Sequence, residues 1–194
     1  VLDSYWLMIH VSIIVGSYGP FTLSMILGLV TLILITLVNN KNKEIMALNI
    51  RELIIINEMS LTVGLVMLTI GNFLGGMWAN ESWGRYWGWD PKETWALISI
   101  MIYAFVLHMR IIPSLKSQFA FTIASIISYA TILMTYFGVN FYLSGLHSYA
   151  KDDQQISFLY SGLTLLIVCI LALLAYPKYS KYLKNNCKFN LDQL

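Results

Sequence analysis

Five stretches of this sequence carry almost no charge, and their lengths limit the possible folds more than any other feature. A helix needs about 20 mostly apolar residues to cross a bilayer, and four stretches meet that length: residues 11–40, 59–80, 117–150 and 154–177. The chain is 58% hydrophobic and 11% charged, whereas ordinary soluble domains carry about 25% charged residues. The sequence therefore predicts an all-α polytopic membrane protein.

The fifth stretch, residues 94–109, is too short to cross a bilayer by itself, but the residues before it predict an earlier helix start. Asp90 is a good N-cap, Pro91 suits the first helical position, and Glu93 lies three residues after the cap. We therefore expect five spanning helices, at about 15–38, 58–78, 91–112, 118–139 and 156–176. Residues 39–57 turn from polar to apolar, and this pattern predicts an interfacial helix.

The basic residues predict the orientation, because Lys and Arg collect on the cytoplasmic side of membrane proteins. Five spans place nine of the twelve basic residues on one side: Lys41, Lys43, Arg51, Arg110, Lys116, Lys178, Lys181, Lys184 and Lys188. Arg85, Lys92 and Lys151 fall on the other side, which we expect to be the outer face. Residues 178–194 then form a basic cytoplasmic tail. The net charge of +2 gives no reason to expect nucleic acid as a partner.

The two cysteines exclude several kinds of site. Cys169 and Cys187 form no C-x-x-C pair, so neither a thiol-redox motif nor a zinc site is expected, and the chain is not itself a c-type cytochrome. Cys169 lies in an apolar run and suits a small packing residue. The chain starts at Val1 with no leader pattern, so we expect it to be part of a longer protein.

Tryptophan is concentrated in one short part of the chain, residues 78–95, which we call the tryptophan segment. Five of the six tryptophans lie there: Trp78, Trp83, Trp87, Trp89 and Trp95. An aromatic belt at the membrane interface explains one or two such residues, but it does not require the interleaved Gly84 and Gly88. Flat rings beside glycines, Tyr86 included, form a platform that a planar apolar ligand can approach closely. The pattern indicates a porphyrin or a quinone.

Charged and histidine side chains add candidate polar contacts to this platform. Asp90 can cap its helix and also orient a ligand, and Arg85 can pair either with a ligand carboxylate or with a lipid headgroup. His10 and His147 both fall on the outer side, and neutral imidazole is a natural axial ligand for iron. His108 differs, because it lies 18 residues after Asp90, about 27 Å deeper along the third helix. An ionisable residue there is either functional or hydrogen-bonded between helices.

The string from Trp83 to Trp95, W-G-R-Y-W-G-W-D-P-K-E-T-W, resembles the tryptophan-rich WWD motif of haem-handling proteins. It is most similar to the CcsA (ResC) branch of cytochrome c biogenesis proteins, whereas the CcmC and CcmF branches differ after the aspartate. Residues 4–11, 138–140 and 145–150 resemble the same branch. The resemblance covers about residues 2–177, which we expect to be a CcsA-like membrane haem-handling domain.

The resemblance implies roles for individual residues. His10 and His147 match the two outer histidines that ligate haem iron, and Asp90 and the tryptophans match the haem platform. His108 matches a membrane-embedded histidine that helps haem to cross from inside. The family has a second embedded histidine that this sequence lacks, and we expect it upstream or in a CcsB (ResB)-like partner.

The resemblance also implies a function: presentation of haem b, as bound substrate, and its attachment to apocytochrome c as part of a haem lyase complex. The expected location is a bacterial inner membrane, with the site on the periplasmic face and lipid around the helices. Three alternatives stay open: a haem carrier without lyase activity, a b-type electron-transfer anchor, and an unrelated multispan transporter with a thick aromatic belt. In a b-type anchor the haem histidines would lie at membrane depth, whereas two of the three here are predicted outside.

Overall fold

The computed structural model describes residues 4–143, 145 and 158–183. The described residues form helices and turns with no β-strand, as the sequence predicts for an all-α polytopic membrane protein. Six α-helices follow one another along the chain: α1 (Tyr5–Leu37), α2 (Lys43–Trp83), α3 (Pro91–His108), α4 (Gln118–Leu133), α5 (Val139–Tyr142) and α6 (Phe158–Lys178). A π-helical turn, Met134–Gly138, joins α4 to α5, and a second, Tyr179–Leu183, extends α6.

Four of the helical stretches are long and apolar enough to cross a bilayer: Tyr5–Leu37, Lys43–Trp83, Gln118–Tyr142 and Gly162–Leu183. The fifth predicted span corresponds to α3, which has 18 residues and is about 27 Å long. It ends at His108, four residues before the predicted end at 112. From there a short run of turns, with hydrogen bonds from Ile111 to His108 and from Ile112 to Met109, leads to Pro113.

Helix α1 begins ten residues earlier than the predicted start at residue 15. His10 therefore lies inside the helix, whereas the sequence analysis placed it before the first span. Hydropathy predicts which part of a helix crosses the lipid, but it does not predict where the helix begins or ends. Tyr5 and Met8, in the first turn of the helix, are highly exposed.

Residues 39–57 do not form a separate interfacial helix, so that prediction is wrong. From Lys43 onward they belong to α2, which runs unbroken for 41 residues. No proline or glycine interrupts residues 43–63, so nothing in the sequence ends the helix there. Ile50 and Ile54 are buried in the same core cluster as Ile35 and Leu183, so the early part of α2 is held by packing.

The helices pack in a definite order, with α1 against α2, α4 and α6, and with α3 beside α2 and α4. Glycines on α2 let α1 come close, as small residues commonly do between membrane helices. A β-carbon at Gly64 would lie 2.9 Å from the ring of Phe21, and one at Gly71 would lie 2.6 Å from Cγ1 of Ile14. Removal of these glycines would push α1 away from α2.

Polar contacts join neighbouring helices at Asn57 and Glu58 of α2. Between α1, α2 and α4, the Ser24 hydroxyl donates to Oδ1 of Asn57 at 2.5 Å, and Nδ2 of Asn57 donates to Ser125 at 3.2 Å. Next to Asn57 on α2, Glu58 forms an ion pair with Arg110, just after α3. The ion pair belongs to the end of the bundle away from the tryptophan segment.

The chain stays helical beyond the predicted boundary between membrane domain and tail at residue 177. Lys178 donates to the backbone oxygen of Thr36, and Tyr179 and Leu183 are buried, so this end of α6 packs on the bundle. Residues 184–194, most of the predicted basic tail, lie outside the described residues. The division into domain and tail stays a prediction.

Candidate functional site

A cavity of about 380 Å³ lies between the first part of α1, the last part of α2, the start of α3 and the π-helical turn after α4. Ligand sites in proteins commonly measure about 300–1,000 Å³. Its walls are mostly apolar, with Ile14 and Tyr18 from α1, Gly75 and Gly76 from α2, and Tyr136 from the π-helical turn. The predicted site residues His10, Tyr86 and Trp87 line the same cavity, so the structure brings these three together.

His10 is held firmly at this cavity. Its side chain is 5% exposed, its ring stacks on Trp78 with centroids 5.3 Å apart, and Gly75 leaves room for it on α2. Nδ1 lies 2.8 Å from the backbone oxygen of Trp6, and because a carbonyl can only accept, Nδ1 carries the proton. In the neutral ring Nε2 is then unprotonated, which is the form that binds a metal ion.

Arg85 lies on the aromatic cluster and does not line the cavity. Its guanidinium carbon is 5.8 Å from the centroid of the Trp83 ring, and Trp83 meets buried Trp78 edge-on at 4.7 Å. The guanidinium also packs on Gly88, because a β-carbon at that position would overlap with it. Arg85 thus packs on Trp83, and Trp83 packs on the Trp78 ring that stacks on His10. Neither Arg85 nor Trp83 is among the residues that line the cavity.

The turn around Trp89 is the most unusual piece of backbone near the cavity. Trp89 has φ +56°, a left-handed conformation that costs a residue with a side chain about 1–2 kcal/mol. Oε2 of Glu93 accepts hydrogen bonds from the amides on both sides of it, Gly88 at 2.8 Å and Asp90 at 3.2 Å. The Trp89 ring is 72% exposed and meets Trp87 edge-on at 5.7 Å. Glu93 therefore fixes a turn that presents one ring outward and the other to the cavity.

Asp90 caps α3 as the sequence predicts. Its Oδ2 accepts from the backbone of Lys92 at 3.2 Å, and with Glu93 it completes a capping box. Asp90 is buried, and the chain at Gly145 passes directly against it, since a β-carbon there would lie 2.5 Å from Oδ1 of Asp90 and 2.8 Å from Pro91. The chain two residues before His147 is thus at the edge of the site. His147 itself lies outside the described residues, and its role stays a prediction.

His108 is remote from this cavity. It occupies the last position of α3, it is exposed, and its Nδ1 lies 2.6 Å from the backbone oxygen of Ala104. The helix length separates it from Asp90 by about 27 Å. His108 therefore belongs to the opposite end of the bundle from His10, as the sequence predicts.

The sequence analysis missed Lys92 and Glu93 as site residues, although both line the cavity. It assigned them to the helix start, and that role is correct for Glu93. Helical periodicity does not predict that these two side chains face a cavity, because the residues of a first helical turn point in several directions. Asn72, Thr135 and Tyr18 also line the cavity and have no motif that would single them out.

Comparison with known proteins agrees with this arrangement. Residues 1–147, which include His10 and the whole tryptophan segment, match the family described as cytochrome C assembly protein. Protein NrfI of Wolinella succinogenes is 49% identical over 190 residues, covering 98% of this chain and 21% of NrfI. The cytochrome c biogenesis protein CcsA of Guillardia theta is 36% identical over 166 residues, and that of Marchantia polymorpha is 34% identical over 188 residues.

These matches cover 76% of this chain and 55% and 58% of the two CcsA proteins. The chain thus spans just over half the length of those relatives and about a fifth of NrfI. The residues of the family match include the motif on which the sequence resemblance rests. The resemblance is confirmed, and this chain belongs to the cytochrome c assembly protein family, with relatives in its CcsA branch.

Proposed function

We propose that this chain holds haem at the outer face of a membrane and presents it for covalent attachment to apocytochrome c. The observation that carries the proposal is buried His10, with its proton fixed on Nδ1, at an aromatic cavity beside the tryptophan segment. A neutral imidazole at an apolar wall suits the iron and the flat face of haem b. Haem is the substrate here, and the protein contributes its position and orientation.

His147 is the proposed second axial ligand. The contact of Gly145 with Asp90 supports this, because it brings the chain to the edge of the site two residues earlier. Haem gripped by His10 and His147 would be low-spin and six-coordinate. The excess of basic residues on the opposite side supports an outward, periplasmic orientation in a bacterial inner membrane.

Attachment itself requires little acid or base chemistry from this chain. A cysteine thiol adds across a haem vinyl group, a sulfur–carbon bond forms, and the thiol hydrogen ends on the neighbouring carbon. The reaction needs no net oxidant, so its rate depends on how the two reactants are placed. The exposed Trp89 ring and the outer face of the turn are the surface that an apocytochrome segment would meet. A CcsB (ResB)-like partner would supply the rest of the path from inside.

The test compares haem spectra of the full protein purified with His10→Ala, His147→Ala and His108→Ala. Loss of either outer ligand should weaken haem retention and the low-spin spectrum, and added imidazole should restore part of that spectrum. The matched control is His108→Ala, which should retain the low-spin spectrum for whatever haem is loaded, while loading falls. An unchanged spectrum and haem yield in both outer variants would refute the ligand assignment.

A second measurement separates attachment from carriage and from electron transfer. The full protein is co-expressed with an apocytochrome c, and covalent haem is measured after denaturation. We expect thioether-linked haem that disappears in His10→Ala. Bound haem that never becomes covalent would favour the carrier, and haem that stays bound and only cycles between redox states would favour the b-type anchor.

A further inference from the structure

The cavity holds one full positive charge among its described lining residues, and it belongs to Lys92. The only carboxylate in that lining is Glu93, whose Oε2 already accepts two backbone hydrogen bonds. Nζ of Lys92 donates to the neutral amide oxygen of Asn140 at 3.1 Å. In the part of the chain that the structure describes, no carboxylate lies within 4.0 Å of this ammonium group.

A cation beside apolar walls is costly because it gives up hydration, and the attraction of the Asp90 carboxylate offsets only part of the cost of burying Lys92. Lys92 is half-buried, and Asn140 keeps its ammonium in place without neutralising it. The lining of the same cavity also includes Ile14 and the ring of Trp87. This arrangement matches a ligand with a flat apolar body and an acidic group at one edge.

We propose that Lys92 binds a carboxylate of the ligand in this cavity, which for haem is a propionate. The inference rests on the proposed function and adds the polar end of the site to the iron ligand His10. It also replaces the sequence-based expectation for Arg85, whose guanidinium lies over Trp83 and against Gly88, outside the cavity lining. Lys92 is a binding residue, with Asn140 as its positioning residue.

The test uses the full protein in detergent and measures the affinities for haem and for haem dimethyl ester, in which both carboxylates are blocked. Wild type should bind haem more tightly than the ester by about tenfold, which is the lower range for a hydrogen bond to a charged group. Lys92→Gln, which keeps an amide donor for Asn140, should bind both porphyrins equally. Lys92→Arg should retain most of the preference.

Arg85→Gln is the matched control, because it removes the same charge from the same segment outside the cavity. It should keep the preference for the free acid. If wild type and Lys92→Gln prefer haem over its dimethyl ester to the same extent, the inference is overturned. It is also overturned if an anionic lipid headgroup binds at Lys92 and the preference for haem over the ester does not change. If wild type binds neither porphyrin, or if His10→Ala binds haem with an unchanged spectrum, the proposed function itself fails. The two failures are thus distinct.

Discussion

Glu93→Ala should release the turn around Trp89 and cost the protein about 1–2 kcal/mol of stability. The carboxylate accepts bonds from Gly88 and Asp90, the amides on either side of the left-handed residue. Hydrogen bonds to charged groups contribute about 1.5–3 kcal/mol each, and the lower value suits a half-exposed carboxylate, giving roughly 3 kcal/mol for the pair. The left-handed conformation of Trp89 costs about 1–2 kcal/mol. The bonds outweigh the strain, and without them the strain should relax the turn to negative φ.

The assay is thermal unfolding of the purified protein in detergent, followed by tryptophan fluorescence. With about 2–4 °C per kcal/mol for a chain of this size, Tm should fall by about 2–8 °C. Glu93→Gln should cost nearly as much, about 1–1.5 kcal/mol, because neutral bonds of half the strength give roughly 1.5 kcal/mol for the pair and no longer outweigh the strain at Trp89. Haem retention should fall with Tm, because Trp87 belongs to the released turn.

Glu81→Ala is the control for the loss of one outer carboxylate. Glu81 is exposed at the end of α2, with one long contact of 3.5 Å to the hydroxyl of Ser4, so its removal should leave Tm within about 1 °C. Equal losses of Tm in the two alanine variants would refute the role of Glu93. So would a Glu93→Gln variant as stable as the wild type.

Three further outcomes are expected. Asp90→Asn should change stability by only a few tenths of a kcal/mol, because Asn caps nearly as well, and Asp90→Ala should lose about 1 kcal/mol, both measured from Tm. Loss of haem in Asp90→Asn at unchanged Tm would give the carboxylate a second role. Gly71→Val should separate α1 from α2 at Ile14 and cost about 1–3 kcal/mol, measured as Tm, and an unchanged Tm would contradict the close packing. A reporter that is active only outside the cell should be active when fused at Asn80 and inactive when fused at Lys116. Activity at Lys116 would contradict the five-span topology.

Much of the fold was predictable because lipid imposes a simple rule on sequence. Long apolar stretches gave the number and order of the main helices, and the run from Asp90 to Glu93 gave the start and capping box of α3. The helix ends outside the lipid were harder to predict. The apolar residues end at the membrane interface, whereas the backbone hydrogen bonds of the helix continue beyond it. For that reason α1 begins at Tyr5 and α2 at Lys43, well before the apolar stretches suggested.

The candidate site was predictable in its residue types and less so in its geometry. The tryptophan segment, His10 and the cap at Asp90 stand out from sequence alone. Which basic residue faces the cavity depends on the turn between α2 and α3, where a left-handed residue redirects the chain. Arg85 and Lys92 are only seven residues apart, yet the turn places one over Trp83 and the other at the cavity. No periodic pattern describes such a turn.

The length of α2 has a mechanical consequence. Its 41 residues make a rod of about 60 Å, twice the hydrocarbon thickness, and no proline hinges it. Residues 43–57 at one end and Trp78 at the other therefore move as one body. A rocking of about 5° around the middle of the rod shifts each end by about 3 Å, which is enough to separate Trp78 from His10. A displacement at residues 43–57 would thus reach His10, the proposed iron ligand, near the opposite end of the helix.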